Sequence, residues 1–233
     1  MELIKKYKSD RIWELDFLRG IALVLMIYFH VIFDLVDIFG VKISYTNGIN
    51  YFIGKISVIL FIFISGISST LSKSNLKRGA QVFAIAMGIT VVTHLVGNDL
   101  GVKFGILHLL GICMILYGLF KKVDSRILVI LGLVIILAGL YFEGITLGND
   151  YLFMFNLISP NFTSSDYYPL FPWMGIFLFG LVGGRYVYRD RKSILGFKLK
   201  DNPLLMAGRN TLMIYIIHQP IILLILTGIF KLK

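Results

Sequence analysis

Apolar residues run along this chain in blocks of about twenty, broken by short polar, glycine-containing or basic segments. A helix needs about 20 mostly apolar residues to cross a hydrocarbon core of about 30 Å. Seven blocks approach or reach that length: Phe17 to Phe39, Ile49 to Leu71, Gly79 to Val96, Phe104 to Phe120, Ile127 to Phe142, Leu170 to Tyr188 and Thr211 to Phe230. The first is too long for the apolar core of a signal peptide and runs out into Asp34, Asp37 and Gly40 without a small-x-small cleavage site, so it is expected to stay in the mature protein. The pattern predicts an all-α, polytopic membrane helix bundle of about seven transmembrane helices, one integral-membrane domain over residues 1–233, with no internal repeat and no low-complexity tract.

Of the 233 residues, 57% are hydrophobic and 15% charged, and the mean hydropathy is +0.83. A soluble domain carries about 25% charged residues, so a water-soluble enzyme is excluded. The net charge of +10 would point to nucleic acid in a soluble protein, and the placement of the basic residues decides its meaning. Alternate loops of a seven-span chain lie on opposite sides. Eighteen of the 23 Lys and Arg fall on one of them: Lys5, Lys6, Lys8, Arg11 and Arg19, then Lys73, Lys77 and Arg78, then Lys121, Lys122 and Arg126, and finally Arg185, Arg189, Arg191, Lys192, Lys198, Lys200 and Arg209. The other side has Lys42, Lys103, Lys231 and Lys233, with Lys55 inside a span. The positive-inside rule therefore puts the N-terminus in the cytoplasm and the C-terminus outside the cell membrane. This accounts for the basic charge without nucleic acid, although the Arg185 to Lys200 loop also suits anionic lipid headgroups or a phosphorylated cofactor. The longest outer segment, Gly144 to Pro169, holds Asp150, Asp166 and six aromatic residues but no basic one. It is expected to pack back against the bundle, because Tyr151 to Ile158 is too apolar to be freely solvated and too short to span. The single cysteine, Cys113, excludes a disulfide framework.

Ionisable groups inside a span are costly and face the bundle interior or a cavity, which makes each a functional candidate. Arg19 and His30 are eleven residues apart, which returns to nearly the same helix face after a rise of roughly 16 Å, and Asp34 lies one turn further along it. Snorkelling explains Arg19 equally well, but no headgroup reaches His30. His94 reads as an interfacial histidine. His108 is flanked by Gly105 and Gly111, which permit close helix approach. His218, Gln219 and Pro220 either break the last span, with their polar groups bonded to one another, or serve in substrate binding. Lys55 needs a counter-charge, for which Asp34 or Asp37 would serve. No two histidines stand at i, i+4, so no metal site is expected. A serine nucleophile elbow, a P-loop and a dinucleotide fingerprint are absent. Gly180 and Gly184 fit the small-xxx-small pattern of packed helices.

Four blocks, WELDFLRGIALVLMIYFHVIFD from Trp13, FGILHLLGICMIL from Phe104, YYPLFPWMGIFLFGLVGGRYVY from Tyr167 and GRNTLMIYIIHQP from Gly208, resemble heparan-alpha-glucosaminide N-acetyltransferase-like membrane proteins, in order and over most of the chain. The resemblance implies transfer of an acetyl or other acyl group from acetyl-CoA or another acyl-CoA, supplied on the cytoplasmic side, to an amino-sugar or related glycan acceptor across the membrane. The Arg19-x10-His30 spacing also resembles the arginine and histidine motif of the wider transmembrane acyltransferase superfamily, in which the histidine is taken as catalytic.

Several residues suit that chemistry. Arg19, the loop around Arg185, and Arg209 with the helix N-terminus at Asn210 would hold the CoA phosphates. His30 would act as general base, with Asp34 fixing its tautomer, or would carry the acyl group covalently. His108 would polarise the thioester carbonyl or bind acceptor, and it competes with His30 as the catalytic histidine. A homodimer is open. The competing function is a proton-coupled transporter, since intramembrane histidines and aspartates also build proton relays and the kinked last span resembles a discontinuous helix. No matched pair of broken helices accompanies it. A seven-helix photoreceptor would need a lysine within the last span, where lysine stands only at the outer end.

Overall fold

The computed structural model describes residues 11–97, 101–197 and 199–231. Lys5, Lys6, Lys8, Lys198 and Lys233 of the charge count lie outside the described residues. The chain is 71% helix, and the described residues form no strands, only isolated bridges between Phe104 and Tyr167 and between Thr146 and Ile158. The long helices are α1 (Trp13–Asp37), α2 (Gly48–Leu71), α3 (Asn75–Val96), α4 (Ile106–Phe120), α5 (Ser125–Phe142) and α6 (Leu170–Val187). The short helix α7 (Pro203–Arg209) and the last one, α8 (Thr211–Lys231), complete the set. Six of these are long and apolar enough to cross a membrane. The fold is a multi-pass membrane bundle, and each apolar block of the sequence coincides with one helix.

Two departures have local causes. Helix α4 has 15 residues, about 22 Å at the α-helical rise. It starts two residues later than the apolar block because Phe104 and Gly105 are extended and Phe104 bridges to Tyr167. Helix α7 was not anticipated, although its signals are ordinary. Asn202 accepts from the Leu205 N–H at 2.9 Å as an N-cap, and Pro203 occupies the first turn, where no N–H is needed.

The chain divides into two compact units, residues 1–61 with 190–233 and residues 62–189, and the boundary falls within α2. In the first unit, α1 packs on α7 and α8. In the second, α3 packs on α4, and α5 on α6. Val24, Leu137 and Leu224 are among many large apolar side chains that remain exposed. Lipid tolerates them, and helices in lipid are held by close packing and internal hydrogen bonds rather than by burial from water. Gly66 and Gly180 show the packing: a Cβ on Gly180 would strike the Phe63 carbonyl, and one on Gly66 the Phe177 carbonyl. Neither backbone carbonyl can swing away. Gly180→Leu is therefore expected to cost at least the 1–3 kcal/mol of an overpacked core, read as a lowered thermal midpoint of the detergent-purified protein.

The segment from Gly144 to Pro169 is built on its own polar anchors. Ser159 donates its N–H to Asp150 at 2.7 Å, the Tyr167 hydroxyl donates to the Phe153 carbonyl at 2.6 Å, and Asn156 donates to the Gly139 carbonyl at 3.3 Å. The Ser159 backbone bond holds the Asp150 carboxyl below the usual carboxylate value. A depressed folded value means that this anchor acts at neutral pH and is lost as pH falls through that value. Asp150→Ala should remove it at every pH, so limited proteolysis around the 3-10 turn Phe153–Phe155 should be faster in the variant at pH 7.

Candidate functional site

Two polar clusters lie on α1 within the first unit. The first surrounds Asp16, which is 2% exposed. Arg11 donates to it through Nε at 3.1 Å and Nη2 at 3.3 Å, and Arg19 through Nη1 at 2.8 Å. Arg209 Nε stands 3.6 Å away, and its Nη1 pairs with Asp201 at 2.8 Å. Among the described residues, three guanidiniums converge on the buried Asp16 carboxylate. Arg209 reaches this place because Gly208 lies against the Asp16 carbonyl, where any Cβ would overlap it. Neighbouring residues tie the segment before α7 to the same end of α1. Trp13 donates to the Phe197 carbonyl at 3.0 Å, and the Ile194 N–H donates to Glu14 at 2.8 Å.

The second cluster lies about 21 Å further along α1, fourteen residues on at the α-helical rise. His30 Nδ1 is 2.9 Å from the Met26 carbonyl, and a carbonyl can only accept, so the proton sits on Nδ1 and Nε2 carries the free lone pair. On α8, His218 Nδ1 faces the Tyr215 carbonyl in the same way. The two imidazoles meet edge to face, with ring centroids 4.8 Å apart. His218 is 7% exposed, and its Nε2 is buried with no hydrogen-bond partner among the described residues. Asp34, fully buried one turn beyond His30, takes both hydrogen bonds from Gln219 Nε2, at 2.8 and 2.9 Å.

These contacts correct several expectations. Asp34 does not set the His30 tautomer: the Met26 carbonyl does, while Gln219 holds the carboxylate. His218 and Gln219 do not bond to each other: Gln219 reaches across to Asp34 on α1, while His218 bonds the Tyr215 carbonyl of its own helix and meets His30 ring to ring. Lys55 places its ammonium 5.3 Å from the Tyr51 ring centroid, and the Tyr45 hydroxyl donates to Asp37. Burial, and after it that bond, raises the Tyr45 hydroxyl above the usual phenol value. Asn210 turns its amide back to the Met206 carbonyl at 2.8 Å, closing α7 where α8 begins.

Two candidates belong to the second unit and are spent on its scaffold. Arg185 donates to the Phe120 carbonyl at 2.7 Å and the Val123 carbonyl at 2.6 Å, capping the C-terminal end of α4, where the helix dipole favours a cation. His108 accepts the Gly105 N–H on Nδ1 at 3.1 Å, so Nε2 carries the proton and donates to the Thr90 hydroxyl at 3.1 Å. Phe104 stacks on its ring. Both nitrogens are used, and the histidine acts as the cap of α4. His108→Ala is expected to cost about 0.5–2 kcal/mol, the range of a lost N-cap, with acyl transfer per folded molecule unchanged, as thermal melting and activity assays on the same preparation would show. His94 bonds the Thr90 carbonyl through Nδ1 at 2.8 Å.

Asp16 and Arg11 were missed by reasoning from the sequence. The available signal was Asp16 three residues before Arg19, a spacing that pairs side chains on one helix face. Among the described residues, no group of three or more His, Cys, Asp or Glu side chains is placed to hold a metal ion. A family model described as "Heparan-alpha-glucosaminide N-acetyltransferase, catalytic" matches residues 11–220, a stretch that contains every residue of both clusters. Among curated proteins and among solved structures, none matches the chain.

Proposed function

Since the chain belongs to the heparan-alpha-glucosaminide N-acetyltransferase family of transmembrane acetyltransferases, we propose that it moves an acetyl or other acyl group from cytoplasmic acyl-CoA to an amino-sugar or glycan acceptor at the outer face of the cell membrane. The observation that carries this reading is the pair of imidazoles, each with its Nε2 lone pair free, one turn from a buried carboxylate in the last turn of a membrane helix. Acyl transfer needs a basic nitrogen at the reacting carbonyl. His30 Nε2 either takes the proton of the attacking amine or hydroxyl, or attacks the thioester itself. The negative charge of Asp34 favours the imidazolium that each route creates.

The CoA phosphates are assigned to the first cluster, where Arg11, Arg19 and Arg209 converge at one end of α1. Arg185 is left out of it because its guanidinium is committed to carbonyls of α4 and the turn after it. Arg19→Lys keeps the charge and loses the planar fork, so it should raise the KM for acetyl-CoA several-fold with little change in kcat. Sidedness follows the basic residues. Cys113 is fully buried, so a cysteine placed at Ser193 or Tyr151 is the reactive one. A membrane-impermeant maleimide should label Tyr151→Cys from outside intact cells and Ser193→Cys only after permeabilisation.

Transfer itself is tested with purified protein, radiolabelled acetyl-CoA and glucosamine as the probe acceptor. The reading expects label on the sugar, or in free acetate when the sugar is omitted. Intact acetyl-CoA in both cases would contradict it.

A further inference from the structure

We propose that His218 is a second catalytic residue: its Nε2 removes the acceptor's proton while His30 holds the acyl group on its own Nε2. The inference rests on the acyltransferase reading and divides its chemistry between two side chains. Each ring gives its Nδ1 proton to a carbonyl of its own helix, Met26 for His30 and Tyr215 for His218, so each has one basic nitrogen and no second. A histidine that carries an acyl group on Nε2 therefore has no base left for the acceptor. The neighbouring ring, with its centroid 4.8 Å away, supplies one.

His218 suits that role better than a structural one. Its Nε2 is buried and unpartnered among the described residues, and a buried polar atom left without a partner costs about 1–3 kcal/mol. A histidine kept only for packing would be replaced by an apolar residue at a gain. Its position is also fixed, since the next residue, Gln219, clamps Asp34 with two hydrogen bonds and so locks this turn of α8 to α1.

The steps balance. His30 Nε2 attacks the thioester carbonyl, an N–C bond forms, the C–S bond breaks, and CoA leaves as thiolate. The acceptor amine or hydroxyl then attacks the acyl carbon and its proton passes to His218 Nε2. The C–N bond to His30 breaks and His30 returns to its neutral form. The imidazolium at His218 finally gives its proton to the thiolate or to water.

The test separates the two half-reactions in purified protein. Exchange of radiolabelled CoA into acetyl-CoA without acceptor reports the first, and acetyl transfer to glucosamine reports the whole. His218→Ala and His218→Gln should keep exchange within a few-fold of the parent, accumulate label on the protein from radiolabelled acetyl-CoA, and lose transfer by about 10²-fold or more. Retained exchange is itself proof of folding. Parental transfer in either variant would overturn the role of His218, as would equal loss of exchange and transfer in a variant whose thermal midpoint is unchanged. His30→Ala should lose both. If the parent transfers acetyl but shows no exchange, the division of labour fails while the acyltransferase reading stands. A parent with no acetyl-CoA turnover of any kind defeats that reading itself.

Discussion

His30→Ala is expected to lower acetyl transfer by about 10²–10⁴-fold, the usual loss on removing a positioned proton acceptor, which corresponds to about 3–5 kcal/mol of transition-state stabilisation. The fold should survive. His30 is only half-buried, its one described hydrogen bond is to a carbonyl on its own helix, and the α1 to α8 contact keeps the Gln219 clamp on Asp34. The loss should appear in kcat, with the KM for acetyl-CoA little changed, because the arginine cluster lies about 21 Å away along α1. Gln219→Leu acts on the same site by another route, freeing a buried carboxylate from its only described donor. A smaller loss of kcat together with a lower thermal midpoint would mark it as a positioning residue.

Asp16→Ala is expected to have the largest effect on stability. Removing one member of a buried charge network leaves the others uncompensated, at about 3–5 kcal/mol for a fully buried pair. The arginines around Asp16 have 22% to 49% of their side chains exposed. Water can reach them, so the expected cost is near the lower figure. Asp16→Asn keeps the shape and one acceptor oxygen and should recover part of the loss. Thermal unfolding of both variants in one detergent, followed by tryptophan fluorescence, checks the order, since Trp13 lies on the same turn and bonds Phe197.

The helices were legible because a membrane helix is written in a simple code: length, apolarity and the charges at its ends. Even the short α4 was found, since lipid penalises an unpaired backbone at either end. The polar stripe on α1 was legible for the same reason, as His30 and Asp34 return to one face at helical spacing. Side-chain partners were not. Nothing in the spacing tells that Gln219, 185 residues along the chain, would take both oxygens of Asp34, or that His108 would be spent on capping its own helix. Those outcomes depend on which faces of distant helices meet. Arg185 shows the same limit: its charge was read as a ligand site, whereas the C-terminal carbonyls of α4 claim it. Asp16 escaped notice because a carboxylate among basic residues looks like surface, whereas α7 packs against its backbone at Gly208 and the side chain is buried.

On this reading the histidine site on α1 and α8 moves an acyl group from CoA. Its most direct test is the release of free CoA thiol from acetyl-CoA, with glucosamine as acceptor, by parent and His30→Ala proteins purified side by side. The parent should release thiol steadily, and the variant at a rate at least about 10²-fold lower. Equal rates in the two proteins, or no release by a folded parent that instead drives proton-coupled uptake in vesicles, would contradict it.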